Sequence, residues 1–204
     1  MIDRLVQTTA SAELASLFQA NDDPALISGR PDISPTQDVI AVTADEYGHR
    51  DLSTFRWGLV PPWMKDPRIG ARMFSARAET LAVKPAFRDS FECRRCIVPA
   101  NGFFERQRAS GRRTKYAMVA SDGRPLALAG LWDTWHADGL GAGLRACVII
   151  TTTSNALMAP VHDRMPVILG AKDWQTWLDP NNRDIEALSE LMQPCPDDWL
   201  RASA

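Results

Sequence analysis

With 204 residues, 45% of them hydrophobic and 24% charged, the chain is long enough to bury a core and reads as one globular domain over residues 1–204. No apolar run approaches the roughly 20 residues of a membrane span, and residues 1–20 lack a basic start followed by an apolar core, so no membrane partner and a cytoplasmic protein are expected. Four cysteines are too few for a disulfide framework, and a net charge of −2 would argue against nucleic acid if it were evenly spread.

In chain order, Ser11 is placed to cap a short helix whose Leu14, Leu17 and Phe18 recur at helical spacing and form one buried stripe. Segments 38–44, 54–60, 94–100, 115–120, 125–131, 145–153 and 165–169 are β-branched or apolar, and Gly or Pro separates many of them; they predict seven short strands. The segment from Asp138 to Gly143 is Gly-rich and predicts a mobile hairpin loop, because it lacks the GxGxxG or Gly-Lys-Ser/Thr pattern of a phosphate cradle. Two helices follow, one carrying Trp174, Trp177 and Leu178, the other capped by Asn182 and carrying Ile185, Leu188, Leu191 and Met192. Strands in the middle with helices at the ends predict an α+β fold with a mostly antiparallel, barrel-like sheet.

The charge is not evenly spread. Residues 54–115 hold 14 Lys and Arg against 5 Asp and Glu, whereas the rest of the chain holds 9 against 20. The same window contains Phe55, Trp57, Trp63, Phe74, Phe87, Phe91, Phe103 and Phe104. Cations interleaved with flat side chains suit a single nucleic-acid strand, whose phosphates need Lys or Arg and whose unstacked bases need platforms. The alternative is a strand-rich core beneath a solvated basic face.

Two residues have the chemistry of proton transfer. Glu105 follows Phe103 and Phe104 directly, and a carboxyl beside apolar rings loses solvation and becomes a general acid or base; the alternative is a surface Glu at a strand end. His162 is one of only three histidines, lies between Pro160 and Pro166, and has Asp163 and Arg164 beside it to tune it. Cys93 and Cys96 form a CxxC, which is half of a zinc site or a redox pair, but no second such pair accompanies it, so no metal is assigned. Cys96 and Cys147 lie in apolar runs and are expected to pack as small hydrophobes.

Three segments, Ser75-Ala76-Arg77-Ala78-Glu79, Asn101-Gly102-Phe103-Phe104-Glu105 and His162-Asp163-Arg164-Met165-Pro166, strongly resemble the SRAP family, the abasic-site processing proteins also called SOS response-associated peptidases. Phe55-Arg56-Trp57-Gly58-Leu59-Val60-Pro61-Pro62-Trp63 and Ala129-Gly130-Leu131-Trp132-Asp133 fit it as well, and the likeness runs from about Arg4 to about Trp199. In that family a cysteine exposed by removal of the initiator Met is both nucleophile and amine, and it captures the aldehyde of an abasic site in single-stranded DNA. Ile2 stands at that position here, Asp3 replaces a Gly, Asp32 an Asn, and Ser75 the Asn that orients the aldehyde. A carboxylate at Asp3 would repel phosphate. The family segment after the last helix is expected to be shortened.

The resemblance implies catalytic roles for Glu105 and His162, with Ser75 and Ile2 at altered catalytic positions, and DNA-binding roles for Arg4, Arg77, Arg164, Trp63 and Phe104. It implies no cofactor, and the expected oligomeric state is a monomer. The expected function is binding of single-stranded or junction DNA, with or without abasic sites, and without the family's thiazolidine crosslink. One alternative is abasic-site chemistry through an α-amine Schiff base assisted by Glu105 and His162, an amine being partly neutral near pH 8. The other is a regulatory paralogue with no DNA role.

Overall fold

The computed structural model describes every residue except 1, 24, 27, 28, 110, 111, 138–140, 142 and 204. Most of the predicted Gly-rich loop, Asp138 to Leu140 and Ala142, therefore lies outside the described residues. In chain order the elements are β1 (Arg4–Gln7), α1 (Ser11–Phe18), β2 (Ala20–Asn21), β3 (Arg30–Ile33), β4 (Asp38–Ala44), β5 (Arg50–Trp57), β6 (Ser75–Arg77), α2 (Pro85–Cys93), β7 (Arg95–Ala100), β8 (Gly102–Ala109), β9 (Arg112–Ala120), β10 (Leu126–Trp135), β11 (Leu144–Thr153), β12 (Arg164–Pro166), α3 (Trp174–Leu178), α4 (Ile185–Glu190) and β13 (Leu200–Ser203).

Five strands close on themselves. β11 pairs with β10, β10 with β7, β7 with β4 and β4 with β5, all antiparallel, and β5 returns to β11 through a parallel seam at Arg56–Ala146 and Trp57–Cys147. The predicted α+β, barrel-like, mostly antiparallel fold is therefore what forms, and closure leaves these strands few open edges. β12 and β6 flank β11, and a second sheet in the order β13-β9-β8-β1-β3 packs against the ring.

β4, β7, β10 and much of β11 are buried on both faces, so their residues alternate between two apolar clusters, whereas β5 keeps Asp51 and Thr54 exposed. Ile40, Val42, Ile97, Ala129, Val148 and Ile150 join the helices through Leu14, Phe18, Phe91, Trp177 and Leu188. Val39, Ala41, Val98, Leu128, Cys147 and Ile149 join the second sheet through Leu5, Phe103 and Met118. Strands buried on both faces read as continuous apolar runs, which is why the sequence announced them.

Two expected helix caps need correction, and two features were not anticipated. Ser11 is the first residue of α1 rather than its cap; Ala10 precedes the helix and no side chain caps it. The cap of the last helix is Asp184, whose carboxylate accepts from the Ala187 amide at 3.0 Å, while Asn182 accepts from the Asp184 amide one step earlier. α2 was not foreseen, because it starts at a proline and carries few apolar residues beyond Phe87 and Phe91. The run from Ile97 to Phe104 is divided between β7 and β8. The chain turns at Asn101, whose Oδ1 accepts from the amides of Thr8 and Thr9 at 2.7 and 3.1 Å. Gly102 follows because a Cβ there would sit 2.7 Å from the Met118 carbonyl oxygen. That corner takes the chain from the ring into the second sheet.

Two polar side chains lock the layers. Gln7, 3% exposed, donates to the Ile40 and Pro99 carbonyls at 2.9 and 2.7 Å and accepts from the Ile40 amide at 3.0 Å, tying β1 to β4 and β7. Arg95, 2% exposed, donates to the carbonyls of Phe91, Glu92, Trp177, Asp179 and Asn182. It therefore caps α2 and α3 at their electronegative ends. Burial lowers its pKa to about 10, so it is still charged at neutral pH. Among the described residues no helix is long and apolar enough to cross a membrane.

Candidate active site and nucleic-acid face

Pairing of β1 with β8 sets Arg4 against Phe104 and Leu5 against Phe103. β1 begins at Arg4, so Ile2 and Asp3 immediately precede this pairing. Ile2 is 2% exposed and belongs to the same apolar cluster as Leu5, Phe103 and Met165.

Glu105 faces inward from β8 opposite Tyr116 of β9 and is 2% exposed, so it is not the surface carboxylate of the alternative reading. A carboxylate this deep requires polar company. His162 supplies part of it, with Nε2 3.5 Å from Glu105 Oε1. The imidazole comes from a compact turn between β11 and β12. In this turn Ser154 N–H donates to the Asp163 carbonyl, Val161 and His162 N–H both donate to Met158, and Asn155 Oδ1 accepts from the Met158 amide. Gln107, two residues along β8 from Glu105 and on the same face, clamps the turn by donating to the Pro160 carbonyl at 2.6 Å. Tyr116 donates in turn to Gln107 at 3.4 Å.

A backbone donor settles which nitrogen of the neutral His162 ring carries the proton. Nδ1 accepts from the Arg164 amide at 2.9 Å, which places the proton of the neutral ring on Nε2, facing Glu105. The Asp163 carboxylate also lies 2.9 Å from Nδ1 and is 88% exposed. A carboxylate only accepts, so Asp163 is no partner for the Nδ1 lone pair, which the Arg164 amide engages; a proton on Nδ1 would pair that nitrogen with Asp163 at the expense of the amide contact.

The arginines are not equivalent. Arg164 donates to both oxygens of Glu79 at 2.5 and 2.9 Å and to the Thr151 carbonyl at 2.5 Å, and its side chain is 13% exposed. It is a strut between β12, β11 and the turn after β6, and hydrogen bonds from it hold the Glu79 carboxyl below its ordinary value although burial opposes the shift. Arg4 pairs with Asp32 at 2.6 Å, so the Asp at 32 neutralises part of the charge expected to meet DNA. Arg77 is exposed on β6, opposite Thr151, with Ser75 half-buried two residues earlier opposite Ile149.

The aromatics divide. Phe55, Trp57, Phe87, Phe91 and Phe103 are buried and build the core, which corrects the platform reading for those five. Phe104 is half-buried with the Lys115 ammonium 3.6 Å from its ring centre, a cation and a flat face side by side. Trp63 is 56% exposed on the segment between β5 and the 3-10 turn Pro67–Arg72. That segment is pinned where Gly58 and Gly70 touch: a Cβ on Gly58 would lie 2.3 Å from the Gly70 carbonyl oxygen, and φ there is +137°. Trp135 Nε1 donates to the Met64 carbonyl at 2.6 Å, next to Trp63.

Of the residues expected from sequence, Glu105 and His162 come together, and Ile2 is buried in the cluster that contains Phe103. Ser75 and Arg77 sit one strand away across β11, and Trp63 stands on its own loop. Gln107 and Glu79 were missed; the only sequence signal for Gln107 was its period-two spacing from Glu105. Cys93 ends α2 and Cys96 is buried in β7, where burial pushes its thiol well above the ordinary value. Burial likewise raises Cys147 to about 12. Neither suits the thiolate that metal or redox chemistry needs.

The family model described as SOS response associated peptidase (SRAP) matches residues 1–204. The abasic site processing protein YoqW of Bacillus subtilis (strain 168) is 42% identical over 172 residues, which is 83% of this chain and 75% of that protein. The abasic site processing protein HMCES of Xenopus tropicalis is 32% identical over 152 residues, 64% of this chain and 45% of its own length. A crystal structure of a protein from Bacteroides thetaiotaomicron shares the fold, with a TM-score of 0.87 at 23% identity over 98% of this chain and 90% of the other.

Proposed function

Because the chain belongs to the SRAP family, we propose that it acts at abasic sites in DNA, holding a single strand or a strand junction reversibly rather than through a covalent bond. One observation carries this reading: the acid–base pair Glu105–His162 is assembled at 3.5 Å, while the position at which the family places its cysteine is filled by Ile2, 2% exposed in an apolar cluster. Exposed Arg77 and Trp63 together with the Phe104–Lys115 pair supply two cations and two flat faces for a strand, while Arg4 and Arg164 are already paired with acids.

The test is fluorescence anisotropy with a single-stranded oligonucleotide carrying one abasic site, together with borohydride trapping and a denaturing gel. Binding at low salt is expected to weaken steeply as salt is raised, because phosphate contacts release counterions, and no adduct should survive denaturation. Absence of binding at low salt would end the proposal. A borohydride-trapped adduct would replace it with amine chemistry served by Glu105 and His162.

A further inference from the structure

The acidic residues of the flanking segments border an apolar cavity away from the acid–base pair. The cavity, about 290 Å³, is formed by the turn 121–125, the stretch 168–171, and side chains of α1, α3 and the 3-10 turn Asp197–Trp199. Its size is near the lower end of the roughly 300–1,000 Å³ usual for ligand pockets. Leu17, Leu126, Ile168, Trp174 and Trp199 are among its lining residues. Trp174 is fixed, its ring 4.4 Å from that of Phe18 and its Nε1 donating to the Leu169 carbonyl at 3.3 Å. Trp199 is 38% exposed and covers Gly170, where a Cβ would meet its ring at 3.1 Å. A tryptophan held half out of the protein over an apolar hole is the usual anchor of a binding hot spot.

The rim selects the occupant. It carries Asp122 and Asp198, with Asp173 3.2 Å from that same Gly170 Cβ position, and its one cation among the lining residues, Arg124, leans toward Asp122 at 3.9 Å. A carboxylate rim repels phosphate-bearing polymers and anionic lipid and attracts Lys or Arg. The location is separate from the acid–base pair as well. Neither Glu105 nor His162 lines the pocket, although the segment beside it touches the turn that carries His162, the Leu157 amide donating to Asp197 at 3.3 Å.

We propose that this pocket docks a basic segment of a partner protein, one aromatic or branched aliphatic side chain entering between Trp174 and Trp199 while an adjacent Lys or Arg meets Asp198 and Asp122. The test is selection of a displayed random 12-residue peptide library on the full chain, followed by anisotropy titration of one enriched, fluorescein-labelled peptide. Enriched peptides should place Lys or Arg beside Leu, Phe or Trp. Trp199→Ala and Asp198→Lys should each weaken binding by about tenfold or more, with unchanged circular dichroism. Because Asp198 is exposed, its substitution keeps the test valid if the Trp199 variant misfolds. No enrichment, enrichment of acidic or uncharged peptides, binding indifferent to both substitutions, or displacement of the peptide by oligo-dT would each overturn the proposal.

Discussion

Gln7 and Glu79 act through partners far away in sequence, and their substitution makes the clearest residue-scale predictions. Gln7→Leu keeps the volume but strands the Ile40 amide and the Ile40 and Pro99 carbonyls inside the protein. Each such group costs roughly 1–3 kcal/mol, and with partial relaxation the variant should lose about 3 kcal/mol in urea denaturation. Glu79→Gln tests the pairing with Arg164. The Glu79 carboxyl titrates below its ordinary 4.5 in the folded protein, so its contribution to stability is complete above that pH and disappears as the pH falls through the folded value. The wild type should therefore melt higher than Glu79→Gln at pH 7, by an amount worth under about 1 kcal/mol for a half-exposed pair, and the two melting curves should converge as the pH is lowered below 4.5. Glu105 and His162 were legible because each is a chemically distinctive residue inside a recognisable local motif. Gln107 and Glu79 were not, since their meaning lies in contacts 53 and 85 residues away.

Among the elements, the segment between β5 and β6 has the least freedom to change. The backbones of Gly58 and Gly70 touch there, and Gly58 has φ of +137°, so Gly58→Ala combines a clash with backbone strain and should cost about 3 kcal/mol. Calorimetry would show the loss, and the emission of exposed Trp63 should shift as its loop is displaced. The same considerations explain what could be read at this scale. β4, β10 and β11 were visible because both their faces are buried, leaving unbroken apolar runs. β8 was hidden because β7 runs into it with only Asn101 between, and a corner made by one side chain and one glycine leaves no break in hydrophobicity. Ser11 and Asn182 are good capping residues by type, but the helix starts were settled by neighbours that a propensity argument cannot weigh.

For the molecule as a whole, Arg95 joins the helical layer to the ring. It is basic by sequence and part of the charged window, yet none of its charge reaches solvent: five carbonyls from α2, α3 and the stretch after α3 converge on it. Arg95→Leu should cost about 4 kcal/mol, since those carbonyls lose a charged donor together, and hydrogen exchange should rise in α2 and α3 before the ring. The excess of positive charge in residues 54–115 thus overstates the charge that reaches the surface. The closed ring has a further consequence, in time rather than space. Its parallel seam joins Arg56 to Ala146, partners 90 residues apart, so the circle cannot close until β11 has been made. At roughly 5–20 residues per second, a ribosome leaves β5 without that neighbour for roughly 5–20 s, and this is the interval in which a growing chain must be kept from pairing with another.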